Sequence, residues 1–182
     1  MPPAESSANI RAACRKDIPA IAECARTATS EEEEIGFAVP PAERTFPYDE
    51  RLSAAWTEPN KVGTEEVWIA EVDGTVVGYV TTEDRGGTLE LVNISVRKDQ
   101  QGKGVGTALV SFVEAMASDA GKSAVTIGTS QSADGRPWKS LPWWQHLGYT
   151  VTGVEENAWT RRVGPGVKEI RMRKILARSG EG

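Results

Sequence analysis

The chain has 182 residues, of which 39% are hydrophobic and 26% charged, with a formal net charge of -5. That length holds one domain with a sizeable core, and the acidic balance excludes general binding to nucleic acid, which needs a basic patch. No apolar run approaches the roughly 18 residues of a membrane span, and the opening Met-Pro-Pro-Ala-Glu-Ser-Ser lacks the apolar stretch of a secretory signal, so a soluble cytoplasmic protein with no membrane partner is expected.

Residues 1–8 read as a disordered lead, 9–176 as the folded domain and 177–182 as a disordered tail. Asn9 to Ala13 suits a short strand. Asp17 then suits a helix N-cap, with Pro19 in the first turn, where its missing N–H costs nothing. Ile18, Ile21, Ala22 and Ala25 recur at helical spacing. Cys14 and Cys24 fit no metal or redox spacing and read as small buried groups, and no metal site is expected. Residues 29 to 47 hold Glu31-Glu32-Glu33-Glu34 and three prolines; the glutamates read as a solvated end or as a local negative field for an ammonium group. A second helix is expected over Tyr48 to Thr57.

Three strand-like runs follow. Glu66 to Val72 points Val67, Ile69 and Ala70 inward, and Asp73-Gly74 is a two-residue hairpin signal. Thr75 to Glu83 comes next, then the turn Gly86-Gly87. Thr88 to Val96 places apolar residues at Leu89, Leu91, Ile94 and Val96, so its alternation slips near Val92-Asn93. One extra residue of this kind makes a β-bulge. A helix is expected from Gly104, with Leu109, Phe112, Val113, Met116 and Ala117 on one face and Gly121 as its stop. Ala124 to Ile127 suits a short buried strand. Trp138 to Leu147 suits a partial helix, Gly148 to Val154 a strand, and Val167 to Ile175 a last strand. The order gives an α/β fold: one domain with a mixed, mostly antiparallel sheet flanked by helices.

The strand ending at Val96 runs into Gln101-Gly102-Lys103-Gly104-Val105-Gly106, which opens the helix. Glycines let the backbone approach a ligand. The first N–H groups of a helix have no internal partners, and with the helix dipole they make an anion site. Lys103 adds a charge at the rim. The Walker A spacing fails, because Gly121-Lys122-Ser123 is preceded by Met116 where a glycine is needed. The dinucleotide fingerprint fails too, because Thr107 stands at its third glycine and the turn follows an antiparallel meander.

The pattern Gln101-x-x-Gly104-x-Gly106 on a strand-turn-helix, with Leu147-Gly148-Tyr149 later in the chain, resembles the GNAT (general-control-related N-acetyltransferase) superfamily. The resemblance implies that acetyl-CoA is the co-substrate. Its pyrophosphate would lie on the backbone from Gln101 and Gly102 through Lys103, Gly104, Val105 and Gly106 to Thr107. Its pantetheine arm would lie along Ile94, Ser95 and Val96, in a gap beside Ala124–Ile127. The N–H of Ile94 would hold the oxyanion.

An amine must lose its proton before it attacks a thioester. Glu90, the one charged residue in its strand, matches the family's base, and partial burial would raise its pKa; a place on the solvent face or an ion pair with the neighbouring strand is the competing reading. Asn93 would orient substrate or water, or satisfy the bulge. The family's acidic tyrosine is replaced by Trp144 in Trp143-Trp144-Gln145-His146-Leu147-Gly148-Tyr149. His146 remains as an alternative acid, and Tyr149 matches a packing position. Trp138, Trp143, Trp144 and Trp159 read as core, as cover for the cofactor, or as a wall for a cationic acceptor. Glu31 to Glu34, Phe46, Tyr48 and Trp56 are acceptor-side candidates. The expected reaction is direct transfer of acetyl to a primary amine of a small molecule. A peptide acceptor, a non-catalytic acyl-CoA sensor and a homodimer stay open.

Overall fold

The computed structural model describes residues 7–28 and 48–178. The chain order is β1 (Asn9–Ala12), a 3-10 turn (Arg15–Asp17), α1 (Ile18–Thr27), α2 (Tyr48–Ala55), β2 (Trp56–Thr57), β3 (Lys61–Val62), β4 (Glu65–Val72), β5 (Thr75–Asp84), β6 (Thr88–Val96), a 3-10 turn (Lys98–Gln100), α3 (Val105–Asp119), β7 (Ala124–Gln131), α4 (Leu141–His146), β8 (Thr150–Glu155), α5 (Ala158–Val163) and β9 (Lys168–Ile175). The strands form one sheet in the order β2-β3-β4-β5-β6-β7-β9-β8, with β1 also on β4. All pairings are antiparallel except β6 with β7.

Each side of the sheet carries its own core. On one, Leu89, Leu91, Val125 and Ile127 pack under Leu109, Val110 and Val113 of α3 and under Trp144 and Tyr149. On the other, Val67, Ile69 and Tyr79 pack under Ile18, Ile21 and Cys24 of α1. The period-2 alternation of β4 to β6 produces this two-sided division. The Asp73-Gly74 turn has both residues at positive φ, 51° and 77°, as a type I′ hairpin needs. At the end of α3, Lys122 N–H bonds the Ala117 carbonyl at 2.9 Å, and Gly121 takes φ 74°, a left-handed stop.

Several expectations shift. The second helix ends at Ala55, and Trp56–Thr57 is a strand. The strand from Ala124 runs on to Gln131. The helix α5 carries no apolar stripe in its sequence. Asn157 creates it by capping, accepting from Thr160 N–H at 3.0 Å while Thr160 Oγ1 accepts from Asn157 N–H at 2.9 Å. Asp17 precedes α1 as expected, but its carboxylate turns back to the Cys14 N–H and to Arg11. Hydrogen bonding to Arg11 leads the causes that hold the Asp17 carboxyl below its usual range. Cys24 is buried, and burial pushes its thiol up to about 11, whereas Cys14 is exposed, against the expectation that both are buried. No helix among the described residues is long and apolar enough to cross a membrane.

Candidate active site at a split in the sheet

Strands β6 and β7 pair in parallel only from Thr88–Leu91 against Ala124–Ile127. Beyond Leu91 and Ile127 they part, and both continue, β6 held by β5 and β7 by β9. The parting starts at a bulge. Thr82 faces Leu91 and Thr81 faces Asn93, so Val92 has no partner on β5. The expected slip in alternation is therefore a real bulge, and it re-aims the strand.

The backbone past the bulge has a definite polarity. Arg97 N–H donates to the Val77 carbonyl at 2.8 Å. In an antiparallel ladder the bonding direction alternates, so Asn93 and Ser95 also spend their backbone groups on β5. Ile94 and Val96 turn theirs away from β5, into the gap. This keeps Ile94 and Val96 as candidates to hold a bound strand-like ligand. The backbone groups of Ser95 face Tyr79 of β5 instead.

At the same end of the sheet lies the glycine turn. Gly102 and Gly104 adopt φ 77° and 84°, a region that suits glycine. Gly104 is the N-cap of α3, and no side chain caps it. The leading N–H groups of Val105, Gly106 and Thr107 are therefore free of a cap, at the positive end of a 15-residue helix. Lys103 is exposed at the rim. A Cβ on Gly106 would come 3.3 Å from the Trp143 ring, so the absence of a side chain lets that indole close on the first turn. Gln101 acts through its side chain. Its Nε2 donates to the Val96 carbonyl at 2.9 Å and to the Ala28 carbonyl at 2.7 Å, tying the turn to the end of β6 and the end of α1.

Glu90 sits at the root of the split. Its side chain is 5% exposed and meets Arg171 of β9 in a bidentate pair, both N···O distances being 2.7 Å. Thr126 of β7 donates to the same carboxylate. Burial pushes the carboxyl up, but the bonds from Arg171 and Thr126 outweigh it, and the net shift is downward. The expected upward shift is thus corrected: the ion-pair reading is what the geometry shows. Arg171 continues the network to Glu169 at 3.1 Å, whose carboxylate covers Gly128 and accepts from Asn157. Arg171, Glu169 and Asn157 were not among the sequence candidates, although a buried glutamate implies a cation. The charged alternation of Lys168–Ile175 was the place to look for it.

Trp144 is buried at 4% and packs edge-on against Tyr149, with centroids 5.2 Å apart. Tyr149 is in the core, its hydroxyl unpartnered, and burial raises its pKa far above a useful range. His146 is exposed on α4. The tryptophans do not form one wall: Trp143 adjoins Trp144 and Gly106, while Trp159 stands 44% exposed on α5. Trp56 is a core residue, 6% exposed among Ala13, Ile18 and Ile21. Glu31 to Glu34 and Phe46 lie outside the described residues.

Parts of this sequence, and the fold as a whole, are similar to those of known proteins. Residues 28–136 match the model of the Acetyltransferase (GNAT) family. An uncharacterized N-acetyltransferase of Methanocaldococcus jannaschii is 38% identical over 47 residues, a match spanning 26% of this chain and only 30% of that relative's length. The PaiA N-acetyltransferase of Thermoplasma acidophilum, solved in complex with coenzyme A, superposes with a TM-score of 0.70 at 16% identity, over 93% of this chain and 99% of that one. The ribosomal-protein-S18-alanine N-acetyltransferase of Escherichia coli gives 0.67 at 17% identity, over 96% and 97%. At such identities the superpositions speak for the fold alone. The family match covers more than half of the chain, across the split and the turn, and the chain belongs to the GNAT family of acetyltransferases.

Proposed function

We propose that this protein moves an acetyl group from acetyl-CoA directly to a primary amine of a small molecule. The carrying observation is the backbone edge at Ile94 and the Val96 N–H, turned away from β5, which leads straight to the uncapped glycine turn; the Val96 carbonyl is held by Gln101. A pantetheine arm is an amide chain that can bond such an edge, and a pyrophosphate suits the turn. When bound, acetyl-CoA supplies an activated thioester. The protein's own residues do the rest. Backbone N–H groups of Val105, Gly106 and Thr107 bind the anion. Gln101 holds the turn against β6. The N–H of Ile94 faces the gap and can donate to a developing oxyanion, a type of contact that removal experiments value at about 3–4 kcal/mol. Direct transfer is favoured because Cys24 is buried on the sheet-facing side of α1 with a raised pKa, and Cys14 precedes the turn before α1. A small cationic amine is favoured by the net charge of -5.

The test has two parts. Acetyl-CoA at about 100 times its Kd should stabilise the fold by about 2.7 kcal/mol, read as a rise in melting temperature. A panel of small amines and N-terminal peptides, followed by release of free thiol, should then show turnover with a small amine. No thermal shift with acetyl-CoA would end this reading, and turnover confined to peptides would replace its acceptor.

A further inference from the structure

On the sheet face that carries Glu90, three carboxylates lie in one cross-strand row. Glu65 of β4 faces Glu83 of β5, and Glu83 faces Glu90 of β6. Like charges in such a row repel. Arg171 neutralises Glu90 and Arg85 neutralises Glu83, the second pair at 2.9 Å. Glu83 also accepts from the Thr64 hydroxyl at 2.8 Å. Glu65 is treated differently. Among the described residues no lysine or arginine pairs with it. Its Oε1 accepts from the Thr81 hydroxyl at 2.7 Å and from Asn93 Nδ2 at 3.2 Å. Asn93 Nδ2 also donates to Thr81 Oγ1 at 3.1 Å. All the donors in this triad are neutral, and Oε2 of Glu65 is left without a protein donor among the described residues.

The direction of the triad matters. Its bonds draw Glu65 out of its own row toward Asn93, the first paired residue past the bulge. The next residue, Ile94, is the one whose backbone enters the gap. The opposite sheet face is filled by α3 and α4, so an acceptor reaches the gap from the face of Asn93 and Glu65. Thr81 is buried at 7%, which fixes the geometry, while Glu65 is half-buried and Asn93 exposed.

We propose that Glu65, steadied by Thr81 and Asn93, receives the ammonium group of the acceptor and takes its proton. This rests on the acetyl-transfer reading above. In the step, R-NH3+ gives one proton to the Glu65 carboxylate and becomes R-NH2. Its nitrogen lone pair attacks the thioester carbon, forming C–N. The intermediate collapses with cleavage of C–S, and the sulfur leaves with the bonding pair. The nitrogen's second proton goes to that thiolate, giving the amide and CoA-SH. Glu65 then releases its proton to water.

The experiment compares the full-length protein with Glu65→Gln and with Glu83→Gln, its like-charged cross-strand neighbour. The glutamine keeps size and hydrogen bonding, and melting curves verify folding. The expected loss in kcat/KM for the amine at pH 7 is about 10²-fold or more for Glu65→Gln and under threefold for Glu83→Gln, with acetyl-CoA affinity unchanged in both. The pH profile is the sharper readout. The native rate should be flat from pH 7 up to the amine pKa. That of Glu65→Gln should rise tenfold per pH unit toward the amine pKa, because only amine already neutral in solution can react. A Glu65→Gln rate within threefold of native, or an unchanged profile, overturns the proposal and leaves acetyl transfer standing. A native protein that neither binds acetyl-CoA nor releases thiol overturns both. Should Glu65→Gln fail to fold, Glu65→Ala serves, with the same expected loss and the same tilt in the profile; a flat native-like profile in that variant overturns the proposal.

Discussion

Glu90→Ala should lower the unfolding free energy by about 3 kcal/mol, and Glu90→Leu combined with Arg171→Met should restore most of it. The first change strands the Arg171 guanidinium, whose side chain is 22% exposed, without its bidentate partner. Breaking one side of a buried pair costs about 3–5 kcal/mol. The low end applies here because Arg171 keeps Glu169 at 3.1 Å. Removing both charges for apolar groups of similar volume is often neutral or better. The pair spans from β6 across β7 to β9, so it pins the parallel pairing at the root of the split. Activity in the double variant then separates two roles. A positioning pair lets activity return with stability; a proton-accepting Glu90 does not. The pH dependence has a definite sign. The folded carboxyls of Glu90 and Asp17 are both held below their ordinary values. Their contribution is complete above the unfolded pKa values of about 4 and is lost as pH falls through the lower folded ones. Denaturant titrations between pH 7 and pH 3 should show a shallower acid loss in the double variant than in the native chain. An equally steep loss would remove Glu90 from the acid-sensitive groups.

The second large effect falls on binding with little change in fold. Gly104→Asp should reduce acetyl-CoA affinity about 100-fold, equivalent to about 2.7 kcal/mol, while shifting the melting temperature by only a few degrees. Gly104 sits at φ 84°, which aspartate tolerates better than most residues. There its carboxylate lies at the start of α3, where a negative charge favours the helix. It therefore takes up the anion site that a pyrophosphate needs. Gly104→Asn has the same shape without the charge and should retain most of the affinity. Calorimetry at low and high salt checks the cause, since the gap between the two variants should narrow as salt rises. Equal binding by the aspartate variant would move the anion site elsewhere on the protein.

The sheet was legible in the sequence because alternation and turn chemistry agreed, as at Asp73-Gly74 and along Thr88–Val96. The bulge was legible because one apolar residue fell out of step. The glycine turn was legible because its spacing admits few ligands. The partners of charges were not. Glu90 meets a residue 81 positions later in the chain, and only tertiary pairing joins β6 to β9 through β7. Glu65 reads as an ordinary strand end until its register against Glu83 and its bonds to Thr81 and Asn93 are known. The α5 helix escaped notice because Asn157 and Thr160 form it by capping, with no apolar period. Cys14 and Trp56 exchanged the places expected of them, since neither residue type fixes its own depth without knowing what packs above it.

Val92 carries a consequence in the language of genes. Leu91 and Asn93 already face successive residues of β5, so deleting Val92 alone would leave every other side chain of β6 on its present side. The strand would become regular and free to zip further along β7. A three-nucleotide deletion, tolerable to the fold and silent to the reading frame, thus separates a gapped sheet from a sealed one. In this architecture an inventive feature resides in a single surplus codon.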